Sequence, residues 1–389
     1  MSAYLLNTSP EGALSTVQAA GIAEYGLGGG MLADRLRAVQ EPHALIAALN
    51  NGDTEGVLLQ LLDTEVEQVF VGMKAAAQAA GTEECVLYLP EYAEDRAKGL
   101  AVQARKYGIE VDCGFLNVRE HRNDVIVHMV TMVKLAYALA GAPDDSVYLS
   151  VDGAPLTKVS PSQTLAELTG EADVKAVFSG VRLLGTEAIH TPVGELPIEN
   201  GSVRLLRGKD CAVQETARAV KAFQGRSCGR CVFCREGLIQ LSHMLGEVSS
   251  AKGKTEYLDL LAEIGEAMCD STICTLGQNA AKSVLSLLEV CGGETEAHIK
   301  KKECPAGACA AFTHIYIDPQ LCTGCEDCAD ICPKDCIEGK RGYIHMIDEF
   351  DCDKCGKCAD ACEERAVILT SGKLPKLPDR LTKVGRFRK

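Results

Sequence analysis

Cys322-Thr-Gly-Cys325-Glu-Asp-Cys328-Ala-Asp-Ile-Cys332-Pro333 and Cys352-Asp-Lys-Cys355-Gly-Lys-Cys358-Ala-Asp-Ala-Cys362 decide how the chain is read. Each is a C-x2-C-x2-C-x3-C run, the spacing by which four thiolates wrap cubane iron–sulfur clusters. Three closely spaced cysteines can cap three corners of one cubane, while the fourth points to the neighbouring cluster. The expected pairing is therefore crossed. Cys322, Cys325, Cys328 and Cys362 would hold one [4Fe-4S] cluster, and Cys352, Cys355, Cys358 and Cys332 the other. Disulfides and zinc ribbons are the alternatives, and two matching cysteine runs weigh against both. Glu363 follows Cys362 where Pro333 follows Cys332, so the second turn is expected to be looser with no ligand lost.

The 389 residues leave room for several domains, and a hydrophobic fraction of 47% supports buried cores. No apolar run reaches the roughly 18 residues of a membrane span. The N-terminus lacks a basic stretch followed by an apolar one, which makes the cytoplasm the expected location. Twenty cysteines there imply metal chemistry, because cytosolic thiols stay reduced. A net charge of −14 and the absence of Trp argue against nucleic acid as a partner. Only Cys85 and Cys113 precede Cys211, so the N-terminal half must do something other than bind clusters.

That half reads as α/β. Gly26-Leu-Gly28-Gly29-Gly30-Met31 follows a short helical stretch, and such a run lets backbone amides face a phosphate at the next helix. A plain loop is the alternative. Apolar Ala44-Leu-Ile46, the turn from Asn50 to Gly56, a helix over 65–80, a strand at Cys85–Pro90 and a helix over 92–107 alternate as in a parallel or mixed sheet. Beyond a strand at Asp124–His128 and a helix over 129–140, short strands at Val147–Val151, Leu156–Val159 and Lys175–Phe178 surround one helix near Thr164–Leu168. These suggest a β-grasp module. His128 and His190 are lone histidines, read as structural or solvated.

A third constellation, Ser227-Cys228-Gly-Arg-Cys231-Val-Phe-Cys234-Arg-Glu-Gly237, lacks a fourth thiolate. Cys274, in Cys269-Asp-Ser-Thr-Ile-Cys274-Thr-Leu-Gly-Gln, can supply it. Leucines and isoleucines recur at helical spacing between the two segments, so a helical bundle with thiolates at helix N-termini is expected. Structural zinc on these four cysteines is the alternative.

The Ser-Cys-Gly-x-Cys-x-x-Cys-Arg-Glu-Gly signature with the later Cys-x-Leu-Gly-Gln resembles the NADH-oxidising flavoprotein subunit of respiratory complex I. It is closer still to the β subunit of electron-bifurcating [FeFe] hydrogenases, which appends the same two-cluster ferredoxin tail. The resemblance implies a multi-domain α/β (α+β) chain. Residues 1–145 would form a shortened flavin/NADH-type α/β domain, 146–198 an SLBB β-grasp module and 199–300 a helical 4Fe-4S bundle. A cysteine-rich connector would follow at 301–315, then a two-cluster ferredoxin domain at 316–370 and a basic tail at 371–389. It also implies Cys228, Cys231, Cys234 and Cys274 as ligands of a third [4Fe-4S] cluster, with Cys269 a buried spare.

Two further sites come through the resemblance. Cys211, His298, Cys304 and Cys309 correspond to a Cys3His set suited to structural zinc, which would pin the ferredoxin domain to the bundle. Three reduced thiols and an unligated histidine are the alternative. In the flavin loop Gly26, Gly28 and Gly29 match the family's glycines, and Gly30 stands at its alanine. Met31 replaces the next glycine and Leu32-Ala33 its Phe-Pro. The family's Asn and acids are reduced to Asn50, Asp53 and Glu55, and its later Gly-Glu-Glu-Thr segment has no counterpart between Cys113 and Val125.

The function implied is an iron–sulfur electron-transfer subunit of an NAD(H)- or ferredoxin-linked oxidoreductase complex. The alternative is an FMN-containing NAD(P)H dehydrogenase subunit with its own flavin site. Other subunits, one thioredoxin-like with a [2Fe-2S] cluster and one catalytic, would complete the complex, with ferredoxin a further partner. The tail, with Lys373, Lys376, Arg380, Lys383, Arg386, Arg388 and Lys389 against Asp379, is either solvated or docked on an acidic partner.

Overall fold

Leu45–Ala48 (β1), Cys85–Leu89 (β2), Glu110–Cys113 (β3) and Val125–His128 (β4) form an all-parallel sheet in the order β3-β2-β1-β4. The computed structural model describes residues 8–26, 29–171, 173–371 and 374–387. β1 is buried along its whole length, as a central parallel strand covered on both faces must be. Leu45 and Ala47 enter the main core with Val69, Phe70, Met73, Val130 and Val133. Ile46 and Ala48 face the other way, against Leu116 and the partly buried Val86, Tyr88 and Ile126.

Helices α1 (Pro10–Ala20), α2 (Leu32–Ala38), α3 (Leu61–Thr64), α4 (Val66–Ala80), α5 (Glu94–Arg105) and α6 (Met129–Leu139) belong to this sheet. α4 and α6 pack closely because Gly72 carries no side chain: a Cβ there would lie 2.0 Å from the Met132 carbonyl oxygen. His128 is structural. It ends β4 and caps α6, its Nδ1 accepting from the Val130 amide at 3.1 Å, and burial holds its pKa down at about 3. His190 is exposed.

A second, five-stranded sheet joins Val147–Val151 (β5), Thr157–Val159 (β6), Ala176–Phe178 (β7), Leu183–Leu184 (β8) and Ser202–Leu206 (β9) in the order β6-β5-β9-β7-β8. The short helix Leu165–Thr169 (α7) starts with a capping box between Thr164 and Glu167. Four long helices follow: Ala212–Arg226 (α8), Val232–Ser249 (α9), Tyr257–Ser271 (α10) and Thr275–Glu296 (α11). The last runs on into a π-turn at Ala297–Lys301.

The chain divides into two units. One contains residues 1–207, 216–242 and 259–290, and the other 208–215, 243–258 and 291–389. Within the second, Thr313–Ile317 (β10) pairs antiparallel with Val367–Ser371 (β13), and Ile337–Glu338 (β11) with Met346–Ile347 (β12). Single turns of helix, Asp327–Asp330 (α12) and Lys357–Ala361 (α13), complete its ferredoxin part.

The described part of the basic tail keeps Lys376, Arg380, Lys383 and Arg386 exposed to solvent. It folds back on the ferredoxin part: the Ile344 amide donates to the Thr382 carbonyl at 2.9 Å, and the Val384 amide to Gly342 at 3.2 Å. Phe387 joins the core there, which explains an ordered path without a long helix. Lys373, Arg388 and Lys389 lie outside the described residues.

Candidate functional site

The second unit's cysteines separate into two lined cavities. Cys322, Cys325, Cys328 and Cys362 share one with Ile317, His345, Ala366 and Val367. Cys352, Cys355, Cys358 and Cys332 share the other with Ile315, Ile337, Ile347 and a fifth cysteine, Cys336. Each half thus sends its fourth cysteine to the other half's cavity. Burial and the neighbouring Cys322, Cys325 and Cys362 push the Cys328 thiol up to about 12, the crowding expected where thiolates converge on a place for a cation. Cys332 is held below its usual value. Burial opposes this, but the amides of Cys336, Lys334 and Asp335 point at its sulfur and prevail. After Cys362, the Ala366 amide donates to the Cys362 sulfur at 3.2 Å.

In these two cavities sequence reasoning missed Cys336 and His345. Cys336 falls outside the repeated run, and His345 lies far from any cysteine motif. His345 is 1% exposed, and neither of its ring nitrogens has a hydrogen-bond partner among the described residues.

Also in the second unit, Cys211, His298, Cys304 and Cys309 are all buried, with ligand atoms within 4.8 Å of one another. The His298 Nδ1 donates to the Glu294 carbonyl at 2.8 Å, which leaves the Nε2 lone pair facing Cys211 at 3.3 Å and Cys309 at 3.5 Å. That tautomer suits a metal-binding imidazole. The contact with Cys309 and then burial drive the Cys211 thiol upward, the penalty a divalent cation would remove. The donor set fits tetrahedral zinc.

In the first unit Cys228, Cys231 and Cys234 straddle the start of α9, and Cys274 immediately precedes α11. At the N-terminus of α11 the amides of Leu276 and Gly277 bond to Cys274. Burial raises Cys234, with Cys274, Cys231 and Cys228 adding to it, so the four stand together. Cys269 is half-buried rather than buried, with Lys282, Asp270, Arg182 and Glu266 among its charged neighbours.

Two cavities of the first unit meet these cysteines. One of about 670 Å³ runs from Gly26 and Gly29, past Asn51 and Leu116, to Cys274, with Arg35 and Lys282 on its wall. Another of about 200 Å³ holds Asn50, Asp53, Tyr88, Tyr92 and Cys228. Both open at the carboxyl end of β1, where the chain, having stepped through β2 to β3, returns to place β4 on the opposite side. Ligands bind parallel sheets at such reversals.

Gly26 has φ +63, and a Cβ there would lie 2.6 Å from the Asn50 Nδ2. That nitrogen donates to the Gly26 carbonyl at 2.8 Å, while Asn50 Oδ1 and Asp53 Oδ2 are buried without partners among the described residues. Burial raises Asp53 to about 7, against a hydrogen bond from the Gly56 amide that lowers it. The 670 Å³ cavity has room for a flavin-sized ligand, whereas the unfilled acceptors of Asn50 and Asp53 line the smaller one.

Not every expected residue reaches these cavities. Glu55 accepts from Ser202 and Arg204, held by the neighbouring sheet strand β9. Gly30 is exposed, its carbonyl taken by the Glu24 amide, and Gly28 lies outside the described residues. Arg35, Asn51 and Lys282 line the larger cavity, and sequence reasoning missed their part in it. No helix among the described residues is long and apolar enough to cross a membrane.

Residues 214–298 match the NADH-ubiquinone oxidoreductase-F iron-sulfur binding region, and residues 314–363 a 4Fe-4S dicluster domain. The NADP-reducing hydrogenase subunit HndC of Solidesulfovibrio fructosivorans is 35% identical over 146 residues, 38% of this chain and 30% of that protein. An NADH-quinone oxidoreductase subunit of Rhizobium meliloti is 30% identical over 146 residues, 34% of each. The chain thus spans about a third of the length of these curated relatives. A crystal structure of an NAD+-reducing [NiFe]-hydrogenase in the air-oxidized state aligns with TM-score 0.63 at 20% identity, covering 76% of this chain and 66% of that one. The chain is homologous to oxidoreductase subunits and carries two iron–sulfur binding regions.

Proposed function

We propose that the chain is the iron–sulfur relay subunit of a multi-subunit, NAD(H)- or ferredoxin-linked oxidoreductase. The carrying observation is the placement of twelve cysteines as three groups of four, one on helix N-termini and two in crossed cavities. Bound there, [4Fe-4S] clusters would supply one-electron transfer. Cys228, Cys231, Cys234 and Cys274 hold the first group, and the amides of Leu276 and Gly277 offset its negative charge. Cys322, Cys325, Cys328 and Cys362 hold the second, and Cys352, Cys355, Cys358 and Cys332 the third. Cys211, His298, Cys304 and Cys309 hold a structural zinc.

Electrons would come from a partner subunit that oxidises NAD(P)H and leave through another, with ferredoxin and a [2Fe-2S] protein as candidate neighbours. A second reading has specific support. The 670 Å³ cavity touches both the glycine loop and Cys274, so an FMN bound there would abut the first group.

Anaerobically loaded protein decides between the readings. About twelve irons per chain, with no NADH-dependent reduction of viologen, is the result expected of a relay. Eight irons would remove the helical site, and robust NADH-driven dye reduction would make the flavin reading the right one. X-ray absorption showing no zinc in fully iron-loaded protein would end the zinc assignment.

A further inference from the structure

A cubane held by four cysteines uses four protein sulfurs, yet five line the second ferredoxin cavity. Cys336 is 5% exposed, and its sulfur lies 3.5 Å from that of Cys332. It also hydrogen-bonds with Cys352. A buried cysteine is often no more than a small hydrophobe. This one differs because it sits against two of the four sulfurs assigned to the cluster.

The other half of the domain supplies an internal control. Residues thirty apart correspond: Cys322 with Cys352, Cys332 with Cys362, and therefore Cys336 with Ala366. Backbone conformation agrees, since Asp335 and Arg365, each just before those positions, have φ +49 and +51. Ala366 lines the first cavity and is 1% exposed. An alanine therefore satisfies this position in the fold, and a thiol is not needed for packing.

We propose that Cys336 is a reserve ligand of the second cluster, able to take the corner held by Cys332. The exchange is redox-neutral. The bond from Cys332 sulfur to iron breaks, one from Cys336 sulfur forms, and the Cys336 thiol proton passes to Cys332. The Cys332–Pro333–Lys334–Asp335–Cys336 turn keeps the two sulfurs adjacent, so a small side-chain movement is enough. The first cavity has no such spare. This inference rests on the cluster-binding reading of the domain.

The test uses the full chain, loaded anaerobically, with alanine replacements because a serine oxygen could itself bind iron. Cys336→Ala should keep about twelve irons. Cys332→Ala should keep them too, with altered g-values in the reduced electron paramagnetic resonance spectrum. Combining the two should remove about four irons. Cys362→Ala should remove about four from the first cavity, and adding Ala366→Cys to it should restore them.

Cys332→Ala as depleted as the double variant would overturn the proposal, and so would an Ala366→Cys that restores nothing. The restoration arm stands even if Cys332→Ala folds badly, because it reads the opposite half. A wild-type chain that loads no ferredoxin clusters would sink the functional reading along with this one.

Discussion

The two halves of the ferredoxin part share a thirty-residue offset and the same cysteine spacing, yet their cavities are closed by different chemistry. Ile317 in one wall corresponds to Ile347 in the other, and Val367 to Ile337. Elsewhere the halves part: His345 faces the first cavity where Ile315 faces the second, Ala366 stands opposite Cys336, and Thr323 opposite Asp353. Spacing can fix which thiolates meet, because all but one come from a single tight turn. It says little about polarity at the fourth wall, which other strands supply. Two sites with one motif can therefore differ in potential and in resistance to ligand loss.

The largest expected effect sharpens that comparison at a corner without a spare. Cys358 is 6% exposed, and the thiol of Cys336 makes its hydrogen bonds with Cys332 and Cys352. Cys358→Ala should remove about four irons, whereas Cys332→Ala should not. Equal losses from the two would erase the distinction between corners. Iron analysis with electron paramagnetic resonance of the remaining clusters gives the measurement.

A backbone-built site should respond to a different class of change. Gly26→Val meets the Asn50 Nδ2 at 2.6 Å and the Glu199 carbonyl at 3.0 Å, from a backbone at φ +63. Left-handed strain alone is about 1–2 kcal/mol for a residue with a Cβ. The variant should keep all its irons and lose any flavin, read as fluorescence released on denaturation. Simultaneous iron loss would mean that the glycine loop and the helical cluster site fold as one.

The contrast explains what is legible in the sequence. Cys322 to Cys362 can be read because ligands and turn lie together in the chain. The parallel strands can be read because Cys85–Leu89 and Val125–His128 are short apolar runs set among helical stretches. The larger cavity cannot: Gly26, Leu116, Cys274 and Lys282 converge only through the sheet order. Glu55 goes with Asp53 on sequence grounds because both sit in one turn, but Ser202 and Arg204 draw its carboxylate away. The zinc set is reached only by resemblance, since 98 residues separate Cys211 from Cys309. The tail's path is not legible either, because Thr382 and Val384 find backbone partners in residues 342–344, a pairing that no local pattern announces.

Asp53 gives a smaller, pH-dependent effect. Its folded pKa of about 7 stands above the ordinary carboxylate value of 3.8, chiefly through burial. The native state therefore holds a proton that the unfolded chain has released between about pH 4 and 7. Stability must fall as pH rises across that window, at up to about 1.4 kcal/mol per pH unit. Asp53→Asn keeps an oxygen for the Gly56 amide and cannot ionise. Its thermal midpoint should exceed the wild type's at pH 8 and converge with it near pH 4. A constant offset between the two curves would show that Asp53 does not titrate in this range.

The smallest expected effect returns to the two cavities. His345 is buried against the first four cysteines with both ring nitrogens unpartnered among the described residues, and an unpaired buried donor is costly. The ring's place is built in: a Cβ on Gly339 would lie 2.2 Å from its Cδ2. An N–H of this ring can reach only what the cavity holds, and a hydrogen bond to cluster or cysteine sulfur favours the reduced, more negative state. Such a bond contributes about 1 kcal/mol, which for one electron is about 40 mV. His345→Leu should lower the first cluster's potential by roughly that amount and leave the second, with Ile315 at the equivalent position, unchanged. Ile315→His should raise the second in turn. Equal shifts in both clusters, or none in either, would show that the two cavities differ in residues but not in electrostatics.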